Sequence, residues 1–205
     1  MTRIYSVGAV LAVAVALGVT GFFIMKTRSN EDRFANCSTA VAGIRNQIGG
    51  PFSLIDQTGT RVTDKSVIVE PTLVYFGYTY CPDACPIDTA RNAEAIDLLQ
   101  ARGISSTPVL ISIDPERDSP EVMADYVKYT HEKMIGLTGD AKEIKSTAGA
   151  YKVFYQKSGE GEDYLMDHST FTYLMLPDYG FVQFFGRDAS AQEVADTVAC
   201  FARAM

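Results

Sequence analysis

Residues 75–89 read Y-F-G-Y-T-Y-C-P-D-A-C-P-I-D-T, a stretch in which an apolar segment leads directly into two cysteines. The apolar run Thr72–Gly77 predicts a buried strand that ends at a glycine. Two cysteines follow, Cys81 and Cys85, each with a proline behind it. Pro86 suits the first position of a helix and disfavours helical geometry for the residue before it. We therefore expect both cysteines in a loop, with a helix beginning at Pro86.

The segments that surround this stretch alternate between strand and helix patterns. The patterns predict strands over 52–55, 61–63 and 109–113, helices that start at Ser119, Asp140 and Ser190, an edge strand over 152–156, and a hairpin over 170–176 and 181–185. A β-α-β half followed by a β-β-α half is typical of an α/β, thioredoxin-like domain.

Composition limits the classes of partner. The 205 residues are 47% hydrophobic, enough to bury the core of one ordinary domain. The net charge of −7 argues against nucleic-acid binding and favours a partner surface that is basic.

The N-terminus predicts a membrane anchor. Residues 4–25 carry no charge, and a helix of that length spans a hydrocarbon core of about 30 Å. A secretory signal is the competing interpretation, but its apolar region is usually shorter, about 7–15 residues. We expect an N-terminal transmembrane helix within an anchor over 1–28, a linker over 29–46 and one domain over 47–205. Basic residues flank both sides of the apolar run, so charge alone does not orient it.

The other two cysteines, Cys37 and Cys200, predict a structural disulfide. Cys200 shares a helix face with Glu193 and Asp196, opposite the apolar stripe of the last predicted helix. An even number of cysteines behind a membrane segment is compatible with an oxidising compartment. We expect Cys37 and Cys200 to be joined, and two separate thiols are the alternative.

Three chemistries fit the C-x3-C pair. Cys81 and Cys85 can cycle between dithiol and disulfide, supply two soft ligands to a metal such as copper, or form an inert local disulfide. A helix N-terminus favours thiolate over thiol, which raises both nucleophilicity and metal affinity. The pair alone leaves these alternatives open.

A third ligand would separate these chemistries, and the chain has two histidines. His131 follows a run of predicted helix surface and is interpreted as a solvated side chain. His168 lies just before the predicted hairpin, and in a thioredoxin-like fold that loop faces the active cysteines. Two thiolates and one imidazole suit Cu(I), and with one more donor also Cu(II); zinc is chemically acceptable as well. Asp167 is a candidate to orient the imidazole.

Four motifs together resemble the Sco/SenC family of membrane-anchored copper chaperones. They are G-Y-T-Y-C-P-D-A-C-P over 77–86, D-P-E-R-D-S-P over 114–120, Y-L-M-D-H-S-T over 164–170 and L-P-D-Y-G over 176–180. The resemblance covers the chain from about Gly49 to its end. It implies a thioredoxin-like fold and a copper site formed by Cys81, Cys85 and His168. Cys37 and Cys200 are not part of the family's copper motif.

The resemblance also implies a function and a location. The expected role is assembly of the binuclear copper centre of cytochrome c oxidase subunit II, with another copper donor or a thiol reductant as a further partner. The expected place is the periplasmic face of a bacterial inner membrane, or the mitochondrial inner membrane facing the intermembrane space. A thiol-disulfide reductase that keeps the oxidase cysteines reduced is the alternative, and peroxidase activity is a weaker third hypothesis.

Overall fold

The computed structural model describes Phe34, Asn36, Cys37 and residues 47–205. The predicted anchor over 1–28 lies outside the described residues, as does most of the predicted linker over 29–46. Within the described part of the chain, no helix has both the length and the apolar character needed to cross a membrane.

A seven-stranded mixed sheet forms the centre of the domain, in the order β2-β1-β5-β4-β3-β8-β9. Its inner strands β3, β4 and β5 are parallel to one another. The strands are β1 Ser53–Asp56, β2 Arg61–Thr63, β3 Thr72–Gly77, β4 Thr107–Ser112, β5 Ile135–Thr138, β6 Tyr155–Ser158, β7 Leu165–His168, β8 Thr172–Leu176 and β9 Gly180–Phe185. All six residues of β3 are buried, as expected for a strand between two neighbours and two helical layers.

Helices cover both faces of this sheet. They are α1 Asp64–Val67, α2 Ala84–Gln100, α3 Pro120–Thr130, α4 Ala141–Ala150 and α5 Ala191–Ala204. Leu73 of β3 packs in a cluster with residues of α2 and α5, whereas the next residue, Val74, packs in a cluster with residues of α3 and α4. Alternate strand residues thus serve the two cores. The β3-α2-β4 and β8-β9-α5 units confirm the predicted thioredoxin-like arrangement.

The three helix starts predicted from capping residues are confirmed. The Ser119 side chain accepts from the backbone N–H of Val122, with proline at the first helical position. Asp140 and Ser190 each form a capping box with the glutamate three residues later. These local signals are strong because each cap satisfies backbone N–H groups that have no partner within the helix.

The structure contains two strands that the sequence does not predict, and a third strand that begins later in the chain than predicted. β5 and β7 were not predicted, and the edge strand expected over 152–156 begins only at Tyr155. Lys152 has a positive φ of 58°, which ends α4 and is incompatible with strand geometry there. β6 and β7 pair in a two-stranded sheet of their own.

Cys37 and Cys200 are joined by a disulfide, with their Cα atoms 5.6 Å apart. Phe34 is buried nearby and packs against Phe201, with ring centroids 5.2 Å apart. The disulfide and this aromatic contact attach the segment before the domain to α5, the last helix.

Candidate metal centre

Cys81 and Cys85 lie where β3 gives way to α2. The strand ends at Gly77, a short loop follows, and the helix begins at Ala84. Cys85 is fully buried and Cys81 is partly exposed, and both are free thiols. The prediction that the helix starts at Pro86 was wrong: Cys85 is already helical. Proline is tolerated in the first turn, because N–H groups there lack a helical acceptor anyway.

His168 is the last residue of β7, and its ring is oriented by a backbone carbonyl. Its Nδ1 lies 2.9 Å from the carbonyl oxygen of Ser169. A carbonyl can only accept, so Nδ1 carries the proton and Nε2 keeps a free lone pair. Nε2 lies 3.5 Å from the Sγ atom of Cys85. The lone pair that a metal would need therefore faces the cysteines.

Asp167 does not orient this imidazole, contrary to the prediction. It is exposed, whereas His168 is half-buried, because successive strand residues point to opposite sides. The Ser169 carbonyl occupies the role expected of its carboxylate. Two aromatic rings enclose the imidazole instead: Tyr75 and Tyr78 make edge-to-face contacts with it, at centroid distances of 6.1 and 5.9 Å.

The structure brings together the three side chains that were predicted as metal ligands. The Sγ atoms of Cys81 and Cys85 and a ring nitrogen of His168 all lie within 4.8 Å of one another. Two sulfurs and one imidazole nitrogen form a soft donor set that suits Cu(I), and Cu(II) with a further ligand. The donors come from two separate parts of the fold, so their convergence is a property of the tertiary structure.

The pKa values of the two thiols are shifted in opposite directions. The hydrogen bond with the Cys85 thiol, helped by those from the backbone N–H groups of Cys85 and Asp83, lowers the pKa of Cys81 to about 3. The Cys85 N–H lies 3.3 Å from that sulfur. The same thiol contact, together with burial, raises the pKa of Cys85 well above its ordinary value. Cys81 is therefore the thiolate of the pair.

We expect this asymmetry to appear in an acid–base titration of the reduced, copper-free protein. Thiolate ultraviolet absorbance should correspond to one thiolate near neutral pH, and it should be lost only as the pH falls towards about 3. The thiolate persists above its pKa, so a lowered pKa extends it into acid. Cys81→Ser should abolish the neutral-pH signal and Cys85→Ser should shift it. Two thiols that both titrate near the ordinary cysteine pKa would contradict the assignment.

A buried polar network lies beneath Cys85 and was missed from the sequence. Tyr75 donates a hydrogen bond to Oδ2 of Asp88 at 3.1 Å, and Asp88 is 1% exposed. Arg91 and Arg187 approach the Asp88 carboxylate at 3.3 and 3.6 Å. Burial nevertheless raises the pKa of Asp88. The available sequence signal was Asp88 itself, a charged residue three positions after Cys85 in α2.

A second buried carboxylate, Asp118, binds the loop before Cys81. It is fully buried and accepts hydrogen bonds from the backbone N–H and the hydroxyl of Thr79, at 3.1 and 2.6 Å, and from the Ser112 hydroxyl. Burial raises the pKa of Asp118. The loop before Cys81 is thus tied to the end of β4, which limits where the first thiolate can lie.

His131 lies outside the group formed by Cys81, Cys85 and His168. It caps the C-terminus of α3, and its side chain is only 8% exposed, so the prediction of a solvated residue was wrong. Its Nδ1 accepts from the Lys133 N–H at 3.0 Å and its Nε2 lies 3.3 Å from Asp97 of α2. The chain turns at the end of α3, and this turn places the His131 ring beside Asp97 of α2.

Known proteins share both the sequence and the fold of this domain. Protein SenC of Rhodobacter capsulatus is 47% identical over 201 residues, which cover 98% of this chain and 90% of that protein. The crystal structure of Arabidopsis thaliana ScoI with copper bound is 46% identical, with a TM-score of 0.73, and covers 76% of this chain and 99% of that one. BsSco, a member of the Sco family of cytochrome c oxidase assembly proteins, is 26% identical, with a TM-score of 0.62, over 75% of this chain and 93% of that one.

The family assignment follows from the extent of these matches. The SCO1/SenC family profile matches residues 41–203, which include both cysteines of the motif and His168. The resemblance recognised in the four sequence motifs is confirmed, and this chain belongs to the SCO1/SenC family.

Proposed function

We propose that this chain is a copper chaperone that binds one copper ion through Cys81, Cys85 and His168. The observation that carries the proposal is the convergence of these three soft donors within 4.8 Å. Further support comes from family membership and from the copper-bound Arabidopsis and Bradyrhizobium japonicum relatives, which share 46% and 39% identity with this chain.

The unequal burial of the ligands fits a cargo that must be both held and released. Cys85 is sealed in the core, and His168 is half-buried on its hairpin. Cys81 is the more accessible sulfur. An incoming thiolate of an acceptor can reach copper from the Cys81 side, so that ligand exchange begins there. The ion then moves without any change in the protein's own covalent bonds.

The proposed acceptor is the binuclear copper site of cytochrome c oxidase subunit II. Support for an oxidase comes from BsSco, a relative in a family of cytochrome c oxidase assembly proteins. The proposed donor and acceptor sites would hold copper through the same kinds of ligand, thiolate and imidazole, and this similarity suits transfer by ligand exchange.

The proposed location is an inner membrane, with the copper domain on its outer face. Residues 1–28 would anchor the chain, 29–46 would link it, and 47–205 would form the copper domain. The bacterial periplasm is proposed first, and the mitochondrial intermembrane space is the alternative, since a mitochondrial SCO1 homologue of Arabidopsis thaliana is 48% identical over 153 residues. The Cys37–Cys200 disulfide agrees with an oxidising compartment.

The direct experiment is transfer of copper to a reduced acceptor. Copper-loaded protein is mixed with the apo subunit II domain, the two are separated, and copper is measured in each. We expect the acceptor to gain the copper that this chain loses. Copper that stays on this chain, while free copper loads the acceptor readily, would contradict a delivery role.

A second candidate function is thiol-disulfide reduction of the same acceptor. It is favoured by the unequal pair: Cys81 is partly exposed and has a lowered pKa, so that it is a thiolate, and Cys85 beside it is a buried thiol. This is the arrangement of an attacking and a resolving cysteine. The Cys81 thiolate would attack the acceptor disulfide and form a mixed disulfide, and the Cys85 sulfur would then displace the acceptor and leave a Cys81–Cys85 disulfide. Two electrons would pass to the acceptor, whose two thiols would take one proton from Cys85 and one from water. Copper-free protein that reduces an oxidised acceptor stoichiometrically would support this function.

A further inference from the structure

The hairpin that carries His168 is not built into the central sheet. Its strands β6 and β7 pair with each other and form a separate two-stranded sheet. The cysteines, by contrast, follow β3 in the middle of the seven-stranded sheet. The distance between His168 and the cysteines therefore depends on contacts that hold the hairpin against the cysteine loop.

Arg117, in the loop between β4 and α3, makes polar contacts with the hairpin. Its Nη1 donates to the carbonyl oxygen of Tyr164 at 2.9 Å and to that of Glu162 at 3.3 Å. Its Nε pairs with Asp114 at 2.5 Å, and the Tyr164 hydroxyl donates to the same carboxylate at 2.6 Å. The guanidinium is thus fixed in direction, with the start of β7 bound to it.

The same guanidinium stacks on rings from both sides of the candidate site. Its central carbon lies 3.7 Å from the ring centroid of Tyr164, on the hairpin. It lies 4.5 and 5.7 Å from the centroids of Tyr80 and Tyr78, in the cysteine loop. These distances are within the range of cation–π attraction. Arg117 therefore joins the loop before Cys81 to the hairpin.

Tyr78 and Tyr80 complete the connection between the two segments. The Tyr78 hydroxyl accepts from the backbone N–H of Met166 at 3.1 Å, two residues before His168, and its ring contacts the imidazole. The Tyr80 hydroxyl donates to Asp163 at 3.2 Å. Both tyrosines thus bind the hairpin while their rings pack around the guanidinium.

We propose that Arg117 is a positioning residue that sets His168 relative to Cys81 and Cys85. This inference rests on the proposed copper function, because it assigns Arg117 to the imidazole ligand of that site. A planar guanidinium can stack and donate to two carbonyls at once, whereas a lysine ammonium offers a point charge without a stacking plane. Arg117 itself supplies no ligand atom.

The test is a double-mutant cycle on Cu(II) affinity, measured by competition with a chelator. Arg117→Met should weaken Cu(II) binding roughly 10–100-fold, the usual effect of losing a residue that orients a metal ligand. In the His168→Ala background the same substitution should have no further effect. Arg117→Lys should give an intermediate loss, and the thiolate-to-copper absorption band should shift in both Arg117 variants.

Arg102→Met provides the matched control. Arg102, in the turn after α2, makes a surface ion pair with Asp196 of α5, and its removal should leave Cu(II) affinity and the absorption band unchanged. An equal loss of affinity from Arg117→Met with and without His168 would overturn the inference while leaving the copper function intact. Affinity that does not depend on His168 at all would refute the copper site itself, and the inference with it.

Discussion

Cys85→Ser is expected to abolish tight copper binding while leaving the fold intact. Cys85 is fully buried, and serine differs from it by little more than the exchange of sulfur for oxygen. A neutral hydroxyl is a hard, weak ligand for Cu(I), which prefers thiolates. The affinity should therefore fall well beyond the roughly 10–100-fold that follows loss of an outer partner of a metal ligand. Competition with a Cu(I) chelator measures the loss directly.

The remaining two cysteines supply the matched control. The double variant Cys37→Ser, Cys200→Ser removes the disulfide at α5 and leaves Cys81 and Cys85 as the sole thiols of the described chain. It should unfold at a lower denaturant concentration, yet bind copper with unchanged affinity and stoichiometry. Copper binding that survives in Cys85→Ser but fails in the double variant would place the metal at Cys37 and Cys200, and would contradict the proposed site.

Gly77→Ala is expected to damage both stability and the metal centre. A Cβ atom at this position would lie 2.8 Å from Cys85 Sγ and 2.8 Å from a ring carbon of Tyr75. Both neighbours are fully buried, so neither can move aside without displacing others. The cost of such overpacking is about 1–3 kcal/mol. Because one displaced atom is a proposed ligand, copper affinity should fall as well.

Gly149→Ala is the matched control for this substitution. Gly149 lies in α4, and a Cβ atom there would meet nothing within 4 Å. Alanine should stabilise that helix by up to about 1 kcal/mol and leave copper affinity unchanged. Denaturant unfolding and copper competition on both variants decide the matter. A Gly77→Ala protein with wild-type stability and affinity would show that Cys85 is free to move.

Local signals in the sequence were sufficient for much of the fold. β3 was predicted with its observed bounds because an uninterrupted apolar run between polar segments leaves few alternatives. The starts of α3, α4 and α5 followed from their caps, since capping depends on residues within one turn. The disulfide between Cys37 and Cys200 agrees with the placement of Cys200 opposite the apolar stripe.

Elements whose residues are explained only by distant contacts were missed. β5 contains Gly136, where a Cβ atom would lie 2.9 Å from Val127 and 3.0 Å from Met123 of α3, so glycine there serves close packing. β7 is a short, half-exposed strand whose partner is the equally short β6. Tertiary packing decides both cases, and no local pattern carries it.

The ligand set was within reach of sequence reasoning, whereas the residues that support it were not. Cys81 and Cys85 are four residues apart next to a helix start. His168 precedes the β8–β9 hairpin, whose place in the fold was predicted from the sequence. The partner that orients the imidazole is a backbone carbonyl, that of Ser169, which every residue possesses and no sequence reveals. The stacking role of Arg117 likewise depends on the tertiary structure, which brings the rings of Tyr80 and Tyr164 within 4.5 and 3.7 Å of its guanidinium carbon.

The central claim is that Cys81 and Cys85 belong to a three-ligand metal centre, and His168→Ala tests it most directly. Cu(I) and Cu(II) are titrated into reduced wild-type and variant protein, and thiol reactivity is measured in parallel. We expect the variant to lose copper affinity by more than roughly tenfold, with the larger loss for Cu(II), while its two thiols react with a disulfide reagent at rates close to wild type. Equal copper affinity in the two proteins would contradict the claim and leave the cysteines as a dithiol alone.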